Sequence, residues 1–92
     1  MTQRFEWDES KAATNLRKHG VAFEEAASVF FDALAYTFRD PDHSAGEERL
    51  LTFGHSQSGR LLAIVHAERD RAIRIISARR ATRNERGIYE QG

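Results

Sequence analysis

The residue type best suited to chemistry in this sequence is arginine, which is concentrated in the last third of the chain. Residues 60–92 hold eight arginines against four acidic residues, although the whole chain of 92 residues has a formal net charge of zero. Guanidinium groups bind phosphate through paired hydrogen bonds and stay charged at any working pH. This segregation of charge predicts a phosphate-binding surface. The alternative is a solvated face with scattered ion pairs.

The arginines lie where a predicted strand, Ala72–Ala78, meets a predicted helix. Thr82 and Glu85 have the spacing of a capping box, so the helix is expected to begin there. The N–H groups at a helix start attract anions, and arginines beside them would complete an anion site. The residues expected in this site are Arg79, Arg80 and Arg83.

Alternation along the last strand predicts which side chains share a face, because residues two apart point to the same side. The two predicted faces are Ile73/Ile75/Ser77/Arg79 and Arg74/Ile76/Ala78/Arg80. The first face is more apolar, so we expect it to lie on the core. Adjacent arginines at the strand end should then point to opposite sides of the sheet.

His66 and Glu68 are candidates for proton transfer at the end of a strongly apolar strand predicted over Arg60–Ala67. Their spacing puts both side chains on one face of the strand. Imidazole titrates near neutral pH, so His66 could act as a general base and Glu68 could orient or replace it. A histidine at a strand end is also a common structural residue, and that alternative stays open.

A second basic region lies on the first predicted helix, Glu9–His19. Lys11, Asn15 and Lys18 recur at helical spacing and form a polar stripe, which together with His19 would suit a phosphate backbone. Basic residues near the end of a helix also stabilise its dipole. A structural role for Lys18 and His19 is therefore the alternative.

The order of elements predicts one α+β domain over residues 1–92. A short strand and two helices, Glu9–His19 and Phe23–Phe31, precede a run of hairpin-connected strands and a short C-terminal helix. Such an order predicts an antiparallel sheet with the two N-terminal helices on one face. The polar stretch Asp40–Gly46 is rich in turn-forming residues and is predicted to be a loop.

Composition argues against several classes of protein. The chain has no cysteine, which excludes disulfides and thiolate metal sites, and its four histidines lack metal-ligand spacing. We therefore expect no metal and no cofactor. No apolar run approaches the roughly 20 residues of a membrane span, and the N-terminal residues lack the apolar stretch of a signal peptide. These features predict a cytoplasmic protein without a membrane partner.

Two separated motifs frame the chain. The first comprises Phe5-Glu6-Trp7-Asp8, Lys11, Asn15-Leu16, Lys18-His19-Gly20-Val21 and Phe23-Glu24-Glu25-Ala26, and the second comprises Ile73–Thr82, Glu85-Arg86 and Tyr89-Glu90. Together they resemble the BrnT toxins. The resemblance implies a small RelE-like fold, an endoribonuclease that inhibits translation, and neutralisation by a BrnA-like antitoxin with a ribbon-helix-helix part. DNA would be contacted only through the complex with that antitoxin.

The resemblance supports Arg79 and Arg83 as site arginines and includes Lys18 and His19 in the family pattern. The leading hypothesis is a metal-independent endoribonuclease toxin in which the 2′-OH of RNA is the nucleophile. One alternative is a non-catalytic nucleic-acid-binding module whose arginines only hold phosphate. Another is a structural partner subunit whose acidic first half docks a basic protein.

Overall fold

A computed structural model describes residues 3–40 and 48–91. In chain order its elements are β1 (Arg4–Glu6), α1 (Glu9–His19), α2 (Phe23–Ser28), a 3-10 turn (Val29–Phe31), β2 (Tyr36–Arg39), β3 (Leu50–His55), β4 (Leu61–Arg69), β5 (Ala72–Arg80) and α3 (Arg83–Gln91). Apart from its first residue, the predicted loop Asp40–Gly46 lies outside the described residues. The described chain is α+β, with three helices and five strands.

The five strands form one mixed sheet in the order β1-β5-β4-β3-β2. Strands β2 to β5 are antiparallel neighbours, whereas β1 runs parallel to β5, with Arg4 opposite Ala72 and Glu6 opposite Arg74. The prediction of an antiparallel sheet is therefore wrong for β1. No hairpin links β1 to β5, because most of the chain lies between them, so turn geometry does not force the two strands to run in opposite directions.

The core lies between the α1–α2 region and one face of the central strands, here called the covered face. Its buried residues are Val21, Phe23, Ala26, Val29, Leu62, Ile64, Ile73, Ile75 and Ala78. Trp7 packs against this cluster, with its ring 5.9 Å from that of Phe23. Burial of each large apolar side chain contributes about 1.5–3 kcal/mol. The opposite face of the sheet is contacted by α3 at β3.

A bulge in β5 changes which of its side chains share a face. Val65 pairs with Ser77, but the next residue, His66, pairs with Ile75, so Ile76 is an extra residue that reverses the alternation beyond it. The covered face carries Ile73, Ile75, Ala78 and Arg80, and the opposite face carries Arg74, Ser77 and Arg79. The predicted placement of Ser77 and Arg79 on the core face is therefore wrong. The prediction that adjacent arginines point to opposite sides is confirmed.

The predicted ends of the first helix are confirmed. Asp8 caps α1, because its Oδ1 accepts hydrogen bonds from the N–H groups of Ser10 at 2.8 Å and Lys11 at 3.2 Å. These bonds lower the pKa of Asp8, the bond from Lys11 most strongly. Gly20 ends the helix in the left-handed region, with φ of 71°.

Glu25 on α2 ties this helix to the hairpin between β3 and β4. Its carboxylate accepts two hydrogen bonds from the guanidinium of Arg60, one from Ser56 at 2.7 Å and one from Ser58 at 2.6 Å. Arg60 is the main reason that the pKa of Glu25 is lowered to about 2. The network fixes α2 against the end of the sheet at which β5 finishes.

The turn between β4 and β5 uses two residues with positive φ, Asp70 at 53° and Arg71 at 65°. A side chain in this left-handed region costs about 1–2 kcal/mol, and a two-residue hairpin of this type favours Asn-Gly or Asp-Gly. The N-terminal residues support the turn. Gln3 donates to the Arg71 carbonyl at 3.2 Å, and Arg4 donates to the Asp70 carbonyl at 3.3 Å.

Candidate active site

Arg79 is held at the end of β5 by a carboxylate from α3. Its Nη1 and Nη2 donate to the two oxygens of Glu85 at 2.7 Å and 2.9 Å. Glu85 also forms the predicted capping box, accepting from the Thr82 N–H at 2.9 Å while its own N–H donates to Thr82 Oγ1 at 3.1 Å. The hydrogen bonds between them lower the pKa of Glu85 and raise that of Arg79. The helix cap therefore orients the guanidinium.

The guanidinium of Arg79 keeps donors for a second anion. Nη1 also donates to the carbonyl of Arg80 at 3.3 Å, while Nε–H and the remaining hydrogen of Nη2 bond to no residue in the described ranges. These two donors form the other fork of the guanidinium, with the geometry that binds two phosphate oxygens at once. The side chain is 37% exposed, and Asp40 is a second carboxylate, after Glu85, that raises the pKa of Arg79. A phosphate at this fork would therefore have two acidic neighbours.

Arg80 and Arg83 flank this position as exposed cations. Arg80 is the last residue of β5 and Arg83 is the first residue of α3. Neither side chain forms a hydrogen bond or ion pair with any residue that the structure describes. The three predicted arginines lie within five positions of the chain, where β5 ends and α3 begins, but Arg80 points to the covered face and Arg79 to the opposite face.

The basic residues of α1 line a groove beside β5. Lys11, Lys18 and His19 are exposed, and together with Ser77 they border a hollow of 250 Å³. Lys11 and Lys18 point outward as predicted. Asn15 does not, because it is only 6% exposed and turns toward the strand. The groove therefore has two lysines and a histidine on its rim, and an amide at its base.

The side chain of Asn15 forms hydrogen bonds with the backbone of β5, as a neighbouring strand would. Its Oδ1 accepts from the Ala78 N–H at 3.1 Å, and its Nδ2 donates to the Ala78 carbonyl at 2.8 Å and to the Val21 carbonyl at 2.9 Å. The amide thereby bonds to β5 beyond the last residue that pairs with β1. This anchor fixes α1, and with it the basic groove, next to the residue that precedes Arg79.

His66 lies in the core on the covered face of the sheet. It is 3% exposed, its Nε2 lies 2.7 Å from Thr52 Oγ1, and its ring meets Phe30 edge-on at 4.8 Å. Burial lowers the pKa of His66 to about 4, so the ring is neutral at physiological pH. Arg79 lies on the opposite face. This geometry favours the structural alternative for His66 over the role of a general base beside the arginines.

Glu68 lies far from the arginines along the sheet. It pairs with Ile73, whereas Arg79 pairs with Ala63, five residues away along β4. At about 3.4 Å per residue this separation is roughly 17 Å. Glu68 is exposed and borders a hollow of 430 Å³ at the turn between β4 and β5. The structure therefore does not bring the predicted pair, His66 and Glu68, to the phosphate-binding position.

A second cluster of titratable residues joins α3 to the C-terminal end of β3. Tyr89 OH donates to Asp32 Oδ2 at 2.7 Å and lies 3.1 Å from His55 Nδ1. The His55 N–H donates to the same Asp32 oxygen at 2.8 Å. Sequence reasoning missed this cluster, because its members are far apart in the chain. The only signal was Tyr89, which belongs to the second motif.

The described ranges contain no group of three or more histidine, aspartate and glutamate side chains arranged to hold a metal ion. Among the helices described, none has the length and apolar character needed to cross a membrane.

Comparison with known sequences decides the family. The sequence profile of BrnT, a ribonuclease toxin of type II toxin–antitoxin systems, matches residues 7–85. The chain belongs to the BrnT family. The matched range contains Arg79, Arg83 and Glu85, and the predicted resemblance is confirmed. No curated protein matches the sequence.

The fold is also similar to that of a BrnT protein of known structure. The crystal structure of the Brucella abortus ribonuclease toxin BrnT matches with a TM-score of 0.67 and 27% sequence identity. The match covers 89% of this chain and 100% of that chain. The mixed five-stranded sheet with three helices is therefore similar to the BrnT architecture.

Proposed function

We propose that residues 1–92 form a single RelE-like domain that acts as an endoribonuclease toxin, cleaves RNA and thereby inhibits translation. Membership of a family of ribonuclease toxins supports the activity. The observation that carries the proposal is the guanidinium of Arg79, which Glu85 orients through one fork while the other fork is open to phosphate.

The proposed reaction uses the 2′-OH of RNA as its nucleophile. A base takes the 2′ proton as O2′ bonds to phosphorus, the bond from phosphorus to O5′ breaks, and the leaving O5′ gains a proton. The products are a 2′,3′-cyclic phosphate and a 5′-OH. Arg79 and Arg83 stabilise the negative charge on the non-bridging oxygens in the transition state. This chemistry requires no metal and no cofactor.

The basic groove extends the proposed substrate path along α1. Lys11, Lys18 and His19 would hold the phosphates that flank the cleaved bond, and Arg80 would contact the backbone where it leaves β5. Two observations support this path: the groove borders Ser77, and Asn15 fixes α1 to the residue before Arg79. Such contacts bind the RNA backbone without reading its sequence.

A type II toxin has an antitoxin as its protein partner. We propose a BrnA-like ribbon-helix-helix antitoxin that covers the arginine surface or pairs with β2, the antiparallel edge strand of the sheet. An acidic segment of the partner would be attracted to Arg80 and Arg83. The toxin would contact DNA only indirectly, through the complex with the antitoxin.

The test compares Arg79→Ala with Glu85→Gln in cells and in a translation extract that contains ribosomes and a defined mRNA. Arg79→Ala should relieve growth arrest and lower the cleavage rate by about 10²–10³. Glu85→Gln weakens the same ion pair and keeps the cation, so it should cost much less activity. Circular dichroism checks that both variants fold.

Equal losses in the two variants would mean that the activity depends on the ion pair between Arg79 and Glu85 and not on the charge of Arg79 alone. Undiminished toxicity of folded Arg79→Ala would place the site elsewhere. The affinity of each variant for an RNA that lacks the attacking 2′-OH shows whether the protein is an enzyme or only binds phosphate. In a binder, Arg79→Ala weakens affinity and its salt dependence together, whereas in the enzyme turnover falls and most of the binding survives.

A further inference from the structure

The hydrogen bonds of the Asp32–Tyr89–His55 cluster fix the tautomer of the imidazole. Tyr89 has one hydroxyl proton, and it donates this proton to Asp32 Oδ2 at 2.7 Å. The phenolic oxygen can then only accept from His55 Nδ1, at 3.1 Å. Neutral His55 therefore carries its proton on Nδ1, and its Nε2 is a proton acceptor.

The charge states of the two supporting residues keep this arrangement in place. Burial raises the pKa of Asp32, but hydrogen bonds from the N–H groups of His55 and Leu34 and from Tyr89 outweigh that effect and lower it overall. Burial and then the bond to Asp32 raise the pKa of Tyr89 to about 12. Asp32 is thus ionised while Tyr89 keeps its proton. The negative charge of Asp32 stabilises the imidazolium that forms when Nε2 of His55 gains a proton.

His55 is more exposed than the aspartate beside it. Its side chain is 42% exposed, compared with 15% for Asp32. The imidazole borders a hollow of 390 Å³ together with Phe31, Ser56 and Gln57. Within the described residues, Asp32 and Tyr89 are the titratable groups that bond to His55, and no acceptor or donor occupies its Nε2.

The side chain of His55 lies on the same sheet face as Arg79. Arg79 pairs with Ala63 and Ala63 pairs with Phe53, so these three lie in one row, and His55 is two residues beyond Phe53 on β3. Strand spacings place the Cα atoms of Arg79 and His55 about 12 Å apart. Both side chains reach toward α3, where their partners Glu85 and Tyr89 are one helical turn, or about 6 Å, apart.

We propose that His55 is the general base of this ribonuclease, with Tyr89 and Asp32 as positioning residues; this inference rests on the proposed function. Nε2 of His55 takes the proton of the 2′-OH as O2′ bonds to phosphorus. The bond from phosphorus to O5′ breaks, O5′ gains a proton from water, and the imidazolium later returns its proton to solvent. Arg79 holds the phosphate oxygens during this step.

The test measures single-turnover cleavage of a defined RNA, both free and on ribosomes, from pH 5 to 9. His55→Gln should lower the rate at neutral pH by about 10²–10⁴ and leave binding of a 2′-O-methyl RNA unchanged. Tyr89→Phe removes the bond that fixes the tautomer and should lower the rate by about 10- to 100-fold. Glu90→Gln alters the next residue of α3, which does not bond to His55, and should keep the rate.

The shape of the pH profile separates a base from a structural residue. The wild-type rate should level off at high pH, once the imidazole is neutral. The rate of His55→Gln should keep rising about tenfold per pH unit, because hydroxide alone takes the 2′ proton. A wild-type protein that cleaves RNA while His55→Gln shows the same rate and profile would overturn this inference alone. A wild-type protein that leaves RNA intact in both forms would overturn the proposed function and this inference with it.

Discussion

His66 should make the stability of the protein depend on pH between 4 and 6.5. The buried ring has a pKa of about 4, compared with 6.5 for an ordinary histidine. Between these values the unfolded chain binds a proton that the folded chain does not bind, so stability falls as the pH falls. The contribution is complete above about pH 6.5 and is lost progressively down to about pH 4.

Each unit of pKa corresponds to about 1.4 kcal/mol, so the full effect is about 3 kcal/mol and the loss between pH 7 and pH 5 is about 2 kcal/mol. Carboxylates with lowered pKa, such as that of Glu25, lose their contribution mainly below about pH 4.5. The interval from pH 7 to pH 5 therefore separates the effect of His66 from that of these carboxylates. Urea unfolding followed by circular dichroism at these two pH values measures the difference.

In His66→Leu the difference between the two pH values should shrink to less than about 0.5 kcal/mol, whatever the absolute stability. If this variant does not fold, His66→Gln can keep a hydrogen bond to Thr52 and serves the same purpose. His19→Gln changes an exposed histidine and should keep the wild-type difference. A wild-type protein that is equally stable at pH 7 and pH 5 would refute the reasoning.

Two further changes test the framework of the site by urea unfolding at pH 7. Asn15→Ala leaves buried backbone groups of Ala78 and Val21 without partners, at about 1–3 kcal/mol each, so the free energy of unfolding should fall by about 3 kcal/mol in all. Thr14→Ala, on the exposed side of α1, is the control. An equal loss in Thr14→Ala would contradict the role of Asn15 as the residue that anchors α1 to β5. Arg71→Gly relieves the left-handed turn and should add about 1 kcal/mol, so a loss of stability would show that the turn is not strained.

Local sequence signals predicted most of the elements, because their causes are local. Asp8 and Gly20 fix the ends of α1, and the Thr82–Glu85 spacing gives the start of α3. The second helix was predicted to continue to Phe31. It changes to a 3-10 turn at Val29, a difference of hydrogen bonding that apolar periodicity does not reveal.

The features that sequence could not supply depend on contacts between distant residues. The bulge at Ile76 is defined only by pairing with β4, and without it simple alternation assigned Arg79 to the wrong face. The burial of His66 depends on Phe30 from the preceding 3-10 turn. The arginine cluster was visible because its members are close in sequence, whereas the link from His55 to Tyr89 spans 34 positions.

The amide of Asn15 also has a consequence for how the protein behaves at high concentration. Exposed strand edges are templates on which a second copy can add a strand, which leads to aggregation. β1 occupies the edge of β5 at residues 72–74, and Asn15 takes both backbone groups of Ala78. A neighbouring molecule would have to displace this amide to join β5. One side chain thus blocks self-association at an edge that the short β1 leaves uncovered.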